Sequence, residues 1–497
     1  MDDVGQLRQD VREGRIEAER LVDLIVTLRR ELRDAKRRIE ELEKKLGGVA
    51  TVKVAEPFSL RAEEKRQEKR GKQRRKRNRA ARKGRVTTAD KIAQAKRTEK
   101  VFPVGLAEGD CKLSHTRPMW RLEHGHAVLV AYEIYRRKNQ FGKIPGALGR
   151  SEFGLEIVLA IAYQVYIVGL SFDKVCLVMG FFQELRLRKS QVDALLYQLS
   201  RHWENEFDGL CTLLANSAVV HTDETSWSLN SVWAFLSEKV RLLFFGVHKD
   251  AATLEQILAP ATFAGIVASD DAAVYANYTH AQKCWAHLLR KAIKLTLLEP
   301  ANADYRNFTD RLLEIYRTAC RTQRDGRLSD AGRTRKVADL DDEILDLCTP
   351  TWAADLPPLE GPADDYRLLV NELMRLMLAQ QLFTFVTAGP VEMPNGDTQP
   401  VAGTNNEAER TLRSPAEARQ MGRTTKTRRG ARRRTVVVSV LESLRPHLPT
   451  FTLSSVIAEI LRWSTVGESC FATLLAKLHL SAPCESILDR LLPVPSG

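Results

Sequence analysis

At 497 residues the chain is too long for one compact domain and predicts about three or four folded units, and its 44% hydrophobic content is that of an ordinary soluble protein. The formal charge of +13 favours a polyanionic partner, of which nucleic acid is the commonest. Three features exclude the secreted, zinc-ribbon and membrane classes: eight scattered cysteines without a Cys-x-x-Cys pair, a charged N-terminus MDDVGQLRQDVREGR, and a most apolar window (155–170) broken by Glu156 and Gln164.

Positions 4, 7, 11, 14, 18, 21, 25, 28, 32, 35, 39, 42 and 46 follow heptad spacing, and only Gly14 interrupts their apolar character. The pairs that would meet across a parallel coiled coil, Asp3/Arg8, Asp10/Arg15, Glu31/Lys36 and Arg38/Glu43, are of opposite sign. Residues 1–46 are therefore expected to form a parallel homodimeric coiled coil rather than an amphipathic helix packed on its own chain. Gly47-Gly48 ends the helix and Pro57 follows, so 47–86 reads as a linker and a basic arm. Within it, 61–85 carries 14 Lys/Arg against 3 Glu. Arg74, Arg75, Lys76 and Arg77 are candidate phosphate contacts, the alternative being a solvated or targeting tail. A leucine-zipper transcription factor has its basic region directly before the zipper on one helix, and here the order is reversed across a break.

Residues 87–210 are expected to form a helical, helix-turn-helix-like DNA-binding domain, with Ser151, Ser171 and Ser190 as helix caps. The pattern then changes. AVVHTDETSW, SVWAFLSE and VRLLFFGV read as strands, with Asn230 and Ser231 in the turn between the first two. A helix over 251–258 and a strand over 264–271 complete an α/β unit assigned to 211–295. An α-helical insertion is expected over 296–402, a second part of the α/β core over 403–445, and a helical tail over 446–497.

Two acidic pairs stand near strand ends, Asp223/Glu224 and Asp270/Asp271. Neighbours on a strand point to opposite faces, so one acid from each pair can converge on a common site, whereas isolated strand-end acids simply face solvent. With a third carboxylate from a helix they would form a set of hard oxygen ligands for Mg²⁺ (or Mn²⁺), suited to phosphodiester chemistry. The stretch GTNNEAERTLR supplies that third acid. Thr404-Asn405-Asn406-Glu407 matches a capping box, which gives Glu407 a structural task. Glu409, about 200° further around the helix, is free to face the strands or to pair with Arg413. Asn405, one turn before Glu409, could hold it or a phosphate.

In order along the chain, HTDETSW, ASDDAAVY, CWAHLLRK and TNNEAERTLR resemble the core of the insertion sequence 66 transposases, bacterial enzymes of the DDE class with a ribonuclease-H-like fold. The resemblance spans about 140–448, and the Asn-Asn-x-Ala-Glu-Arg element is its most specific part. It implies an α/β ribonuclease-H-like catalytic core with an all-α insertion, preceded by a helical DNA-binding domain and an N-terminal coiled coil. It further implies Asp223, Asp270 and Glu409 as catalytic metal ligands. Arg410 and Arg413 would meet phosphates of the double-stranded element ends and target DNA. A cytoplasmic, nucleoid-associated enzyme without membrane contact is expected, the alternative being a non-catalytic DNA-binding protein.

Three departures qualify the resemblance. Asp270-Asp271 stands where the family usually has Asp-Gly, so Asp271 is an alternative second ligand. Only Cys111 and His115 fall where relatives often carry a zinc element. The tail KTRRGARRRTVVV is unusually basic and reads as an extra DNA contact. Cys284 and His287 form a Cys-x-x-His element that, even with His280, offers three ligands only, so a buried cysteine beside a packed histidine is the preferred reading.

Overall fold

In the computed structural model, residues 86–352, 359–394, 396–483 and 485–493 are described. The expected coiled coil of 1–46 and the basic arm with Arg74, Arg75, Lys76 and Arg77 lie outside them.

Helix α1 (Thr88–Ala93) is capped by the Thr87 side chain, and a sheet follows: β1 (Arg97–Val101), β2 (Lys112–Glu123), β3 (His126–Arg137) and β4 (Gln140–Phe141). This corrects the expectation of an all-helical 87–210 segment. The run HAVLVAYEIYRR is rich in β-branched and aromatic residues, and Val128, Val130, Tyr132 and Ile134 alternate onto one small core with Met119 and Ile144. His124 (φ 48°) and Gly125 (φ 85°) both take positive φ between β2 and β3, the condition for a turn whose twist matches the flanking strands.

Helices α2 (Leu155–Tyr166), α3 (Phe172–Phe182), α4 (Lys189–His202) and α5 (Glu204–Ala215) come next. Ser171 caps α3 as expected, its side chain accepting the Lys174 N–H. The other two caps differ. Ser151 accepts the Phe153 N–H in the preceding turn, while α2 starts after Gly154. Ser190 lies inside α4, whose start is closed by the Gln191 side chain accepting the Arg188 N–H.

The central sheet comprises β5 (Val219–Ser226), β6 (Ser231–Leu236), β7 (Arg241–Val247), then, beyond helix α6 (Ala251–Ile257), β8 (Ile266–Ser269) and β9 (Ala281–Lys283). Its order is β7-β6-β5-β8-β9, antiparallel within the meander and parallel from β5 to β9. Strand β9 has no sequence signature because its side chains serve the backbone. Buried Gln282 donates to the carbonyls of Lys283 and Leu382 and accepts the Phe385 N–H.

Five helices are inserted next: α7 (Trp285–Leu298), α8 (Ala303–Arg324), α9 (Asp330–Cys348), α10 (Pro362–Leu378) and α11 (Thr384–Thr387), followed by a small hairpin of β10 (Val391–Glu392) and β11 (Thr398–Gln399). Then come α12 (Asn406–Gln420), α13 (Arg428–Leu444), α14 (Leu453–Val466), α15 (Cys470–Lys477) and α16 (Ile487–Leu491). Alternation along the strands separates two cores. Val219, Ile266 and Ala268 pack with the inserted helices around Trp285 and Phe308, while Val220 and Val267 join Trp233, Phe244 and the residues of α2–α5, α12 and α13. Among the described residues no helix is long and apolar enough to cross a membrane.

Edge strand β7 would expose its outer N–H groups were it not covered by α13. Thr435, Ser439 and Ser443, spaced four apart on one face of that helix, accept from the N–H groups of Phe245, Leu243 and Arg241, each at 2.9 Å. The arginines before them are structural, which corrects their reading as DNA contacts. Arg432 pairs with Glu204 and Asp489, and Arg433 with Asp193 and the Tyr166 hydroxyl. Arg434 is buried with its guanidinium 5.0 Å from the Trp227 ring centre and 4.8 Å from that of Phe245. Only Lys426, Arg428 and Arg429 of the tail are exposed. Arg434→Ala is expected to lower unfolding stability by about 2–4 kcal/mol through lost packing and ring contacts, checked by denaturant titration.

Candidate active site

The strand pattern sends Asp223 and Glu224 of β5 to opposite faces. Glu224 is consumed locally. Its side chain is only 3% exposed, pairs with Lys249 at 2.6 Å and accepts the Tyr275 hydroxyl at 2.6 Å. Asp223 turns toward Asp270, just past β8, and Glu409, on the first turn of α12. Burial, and then the charges of Glu224, Asp270 and Glu409, push its carboxyl up to about 7. The structure thus brings Asp223, Asp270 and Glu409 into one electrostatic neighbourhood.

The second acidic pair also divides. Asp271 forms an ion pair with Arg375 of the inserted helix α10. Asp270 is held through its backbone and its own turn: Lys283 Nζ donates to the Asp270 carbonyl at 3.0 Å, and Asp270 Oδ1 accepts the Ala272 N–H at 3.1 Å. Lys283 is itself buried, which lowers its pKa, and its ammonium lies 5.5 Å from the Tyr275 ring. A cavity of about 570 Å³ opens here between the sheet end and α10, lined by Asp270, Asp271, Lys283, His287 and Arg375 among others.

Glu409 is placed by residues before it. Helix α12 begins after Asn405 without a side-chain cap, so the expected capping box of Thr404 and Glu407 does not form; instead Glu407 reaches across to Arg241 at 2.5 Å. The competing attraction is the ion pair, available because α12 lies over β5 and β6, within reach of Arg241 at the start of β7. Asn405 neither holds Glu409 nor faces solvent. It is 1% exposed and its Nδ2 donates to the Thr222 carbonyl at 2.7 Å, one residue before Asp223. Asn405→Ala removes this tie, and about 1–3 kcal/mol of stability should be lost with it, measured by denaturant titration.

Cys284 links the other two segments. Its N–H donates to the Ser269 carbonyl at 2.9 Å and its Sγ accepts the Asn405 N–H at 3.1 Å, so it joins the residue before Asp270 to the start of the helix bearing Glu409. Burial raises the pKa of this thiol. Glu409 does not pair with Arg413 but with Arg290 of α7, through both oxygens at 2.8 and 2.9 Å, and His287 Nδ1 lies 3.6 Å from Glu409 Oε1. His280 is exposed and lines a different cavity with Ser217 and Thr384, so it takes no part. Arg410 and Arg413 are exposed on α12. Sequence reasoning missed Lys249, Lys283, Arg290 and Arg375: the partners of Arg290 and Arg375 lie 119 and 104 positions away, Lys283 reaches Asp270 across the β8–β9 pair, and Lys249 reaches Glu224 from beyond β7.

The stretch of chain that carries these acids falls within a known family. The family model of the IS66 transposases matches residues 150–433, more than half of the chain. The chain belongs to the IS66 transposase family. The IS66 match starts just before α2 and ends inside α13, so it takes in Asp223, Asp270 and Glu409 and leaves out the β2–β3 hairpin and the last three helices. Membership carries DNA as the partner and a divalent metal ion as the usual cofactor of this class. No curated protein matches the sequence.

The donor types suit such an ion, although among the described residues the three carboxylates do not all come within 4.8 Å of one another. Burial first, and then the charges of Glu224, Asp270 and Glu409, raise the Asp223 pKa, and a bound cation would offset that repulsion. Hard oxygen donors of this kind suit Mg²⁺ or Mn²⁺.

Proposed function

We propose that this IS66 member is an active DNA transposase that hydrolyses phosphodiester bonds at element ends and transfers the freed 3′-hydroxyl into target DNA, with Asp223, Asp270 and Glu409 holding Mg²⁺ or Mn²⁺. The observation that carries the reading is the set of ties joining the three acid-bearing segments: Asn405 Nδ2 donates to the Thr222 carbonyl, and Cys284 bonds both the Ser269 carbonyl and the Asn405 N–H. The sheet order β7-β6-β5-β8-β9 supports a ribonuclease-H-like reading of the core. A bound divalent ion would activate the attacking water or 3′-hydroxyl and stabilise the leaving oxygen.

The chain's own residues supply the frame. Asp223, Asp270 and Glu409 would hold the cation, and Lys249 with Tyr275 keeps the Glu224 charge on the opposite face. Lys283 fixes the Asp270 backbone, Asn405 and Cys284 set the start of α12, and Arg290 holds Glu409 until it is needed. Arg410 and Arg413, exposed beside Glu409, would steady the phosphates. The basic arm with Arg74, Arg75, Lys76 and Arg77 would add sequence-independent contacts, and pairing through 4–46 would bring two element ends together.

Because the Asp270 charge acts on Asp223, while Asp271 turns to Arg375 of the inserted helix, Asp270 is assigned as the second ligand. Asp270→Ala should eliminate nicking and Asp271→Ala should retain most of it, and the reverse pattern would exchange the assignment. The function itself is tested by nicking of a supercoiled plasmid carrying the element ends. Nicking with Mg²⁺ or Mn²⁺ that stops on EDTA addition is the expected outcome. DNA binding without nicking under either metal would favour a non-catalytic DNA-binding protein.

A further inference from the structure

Beside the carboxylates lies a second donor set of different chemistry. Among the described residues, one trio of His, Cys, Asp or Glu side chains has its ligand atoms all within 4.8 Å of one another: Cys284, His287 and Glu409. Cys284 is buried, and His287 Nδ1 is a buried atom without a hydrogen-bond partner, 3.6 Å from Glu409 Oε1. A buried ring nitrogen left unpartnered beside a thiol and a carboxylate is the pattern of a ligand awaiting its ion.

We propose that Cys284, His287 and Glu409 form a second metal site, for a thiophilic divalent cation such as Zn²⁺, and that filling it inhibits the enzyme by withdrawing Glu409 from the Mg²⁺ site. The inhibition rests on the reading of Glu409 as a catalytic ligand; the site itself does not.

Ligand type separates the two cations. Mg²⁺ takes oxygen donors in octahedral geometry and does not compete for a thiolate, whereas one sulfur, one imidazole nitrogen and one carboxylate oxygen are a borderline-soft set that follows the Irving–Williams preference for Zn²⁺ over Mn²⁺. Three protein ligands leave a fourth tetrahedral position for water. Binding breaks the Cys284 S–H bond, forms Zn–S, Zn–N and Zn–O bonds, and releases the thiol proton to solvent, so affinity rises with pH. The carboxylate is already drawn to this side, since Arg290 of the same helix α7 grips both its oxygens. Zn²⁺ would take over from the guanidinium as the counter-ion. The Cys284 N–H bond to the Ser269 carbonyl and the Asn405 N–H bond to its sulfur keep that sulfur at the junction of the two acid-bearing segments, so the metal would sit where it can act on both.

The test is titration of the metal-free full-length protein with Co²⁺ as a spectroscopic stand-in. One equivalent should produce thiolate-to-cobalt charge-transfer absorption that Zn²⁺ abolishes. Cys284→Ser should lose the band, His287→Ala should weaken binding about tenfold or more, and Asp223→Asn should keep both band and affinity. His287→Ala, at the more exposed ligand, covers the case in which Cys284→Ser does not fold. Cobalt binding without the band, or an unchanged band in Cys284→Ser, overturns the site. Full Mg²⁺-dependent nicking by protein carrying one equivalent of Zn²⁺ overturns the inhibition. Failure of the transposase reading looks different: no nicking with Mg²⁺ even before Zn²⁺ is added, with the cobalt spectrum intact.

Discussion

Asp223→Asn is expected to abolish cleavage and strand transfer while leaving DNA binding unchanged. Asparagine keeps the shape of the side chain and removes the charge that would hold the metal, so the expected loss is three orders of magnitude or more, about 4 kcal/mol of transition-state stabilisation. Binding survives because phosphate contacts are assigned to arginines and lysines elsewhere. The same variant has a second signature. The folded-state pKa of Asp223, about 7, lies above its ordinary value of 3.8, so the folded protein holds a proton that the unfolded chain releases. Stability attached to this group is present in acid and is lost as pH rises from about 4 through 7. Without metal, Asp223→Asn should therefore melt higher than the natural chain at pH 8 and equally at pH 4, as read by scanning fluorimetry. Equal melting at pH 8 would contradict the burial of Asp223 beside these acids.

Glu409→Gln is expected to be as inactive as Asp223→Asn, while Glu407→Gln keeps near-normal activity. The two glutamates lie within one turn of α12, so a difference between them cannot come from proximity along the chain. Glu407 is half-exposed and paired with Arg241, a contact whose loss costs about 0–1 kcal/mol of stability. Glu409 points to α7 and adds to the charge that raises Asp223. Parallel plasmid-nicking assays decide it, and an inactive Glu407→Gln with an active Glu409→Gln would reverse the roles.

The meander beside the site was legible because its apolar runs are long: β6 is buried at every position and β7 at every position but Arg241. So was the divergence of Asp223 from Glu224, which follows from the two-residue strand period. Strand β9 was not legible, being three residues whose stability comes from Gln282 bonding to a distant helix. The β2–β3 hairpin was readable from HAVLVAYEIYRR and the His124-Gly125 turn, but the helical pattern beyond it dominated. In the basic tail, charge suggested DNA, although the spacing of Thr435, Ser439 and Ser443 already marked a helix face that pairs with something polar. The capping box failed for another reason. Its residues were present, but Arg241, 166 positions away, offered Glu407 a stronger partner than the helix start. No local pattern announces such a partner, nor the Arg375 that occupies Asp271.

The central claim is that Asp223, Asp270 and Glu409 act as one cation site. Mn²⁺ binding to the full-length protein, followed by the loss of the free-ion electron paramagnetic resonance signal, tests it most directly. Asp223→Asn, Asp270→Asn and Glu409→Gln should each weaken Mn²⁺ binding about tenfold or more, and Glu407→Gln and Asp271→Asn should leave it unchanged. Equal Mn²⁺ affinity in the first three variants and the natural chain would contradict the account.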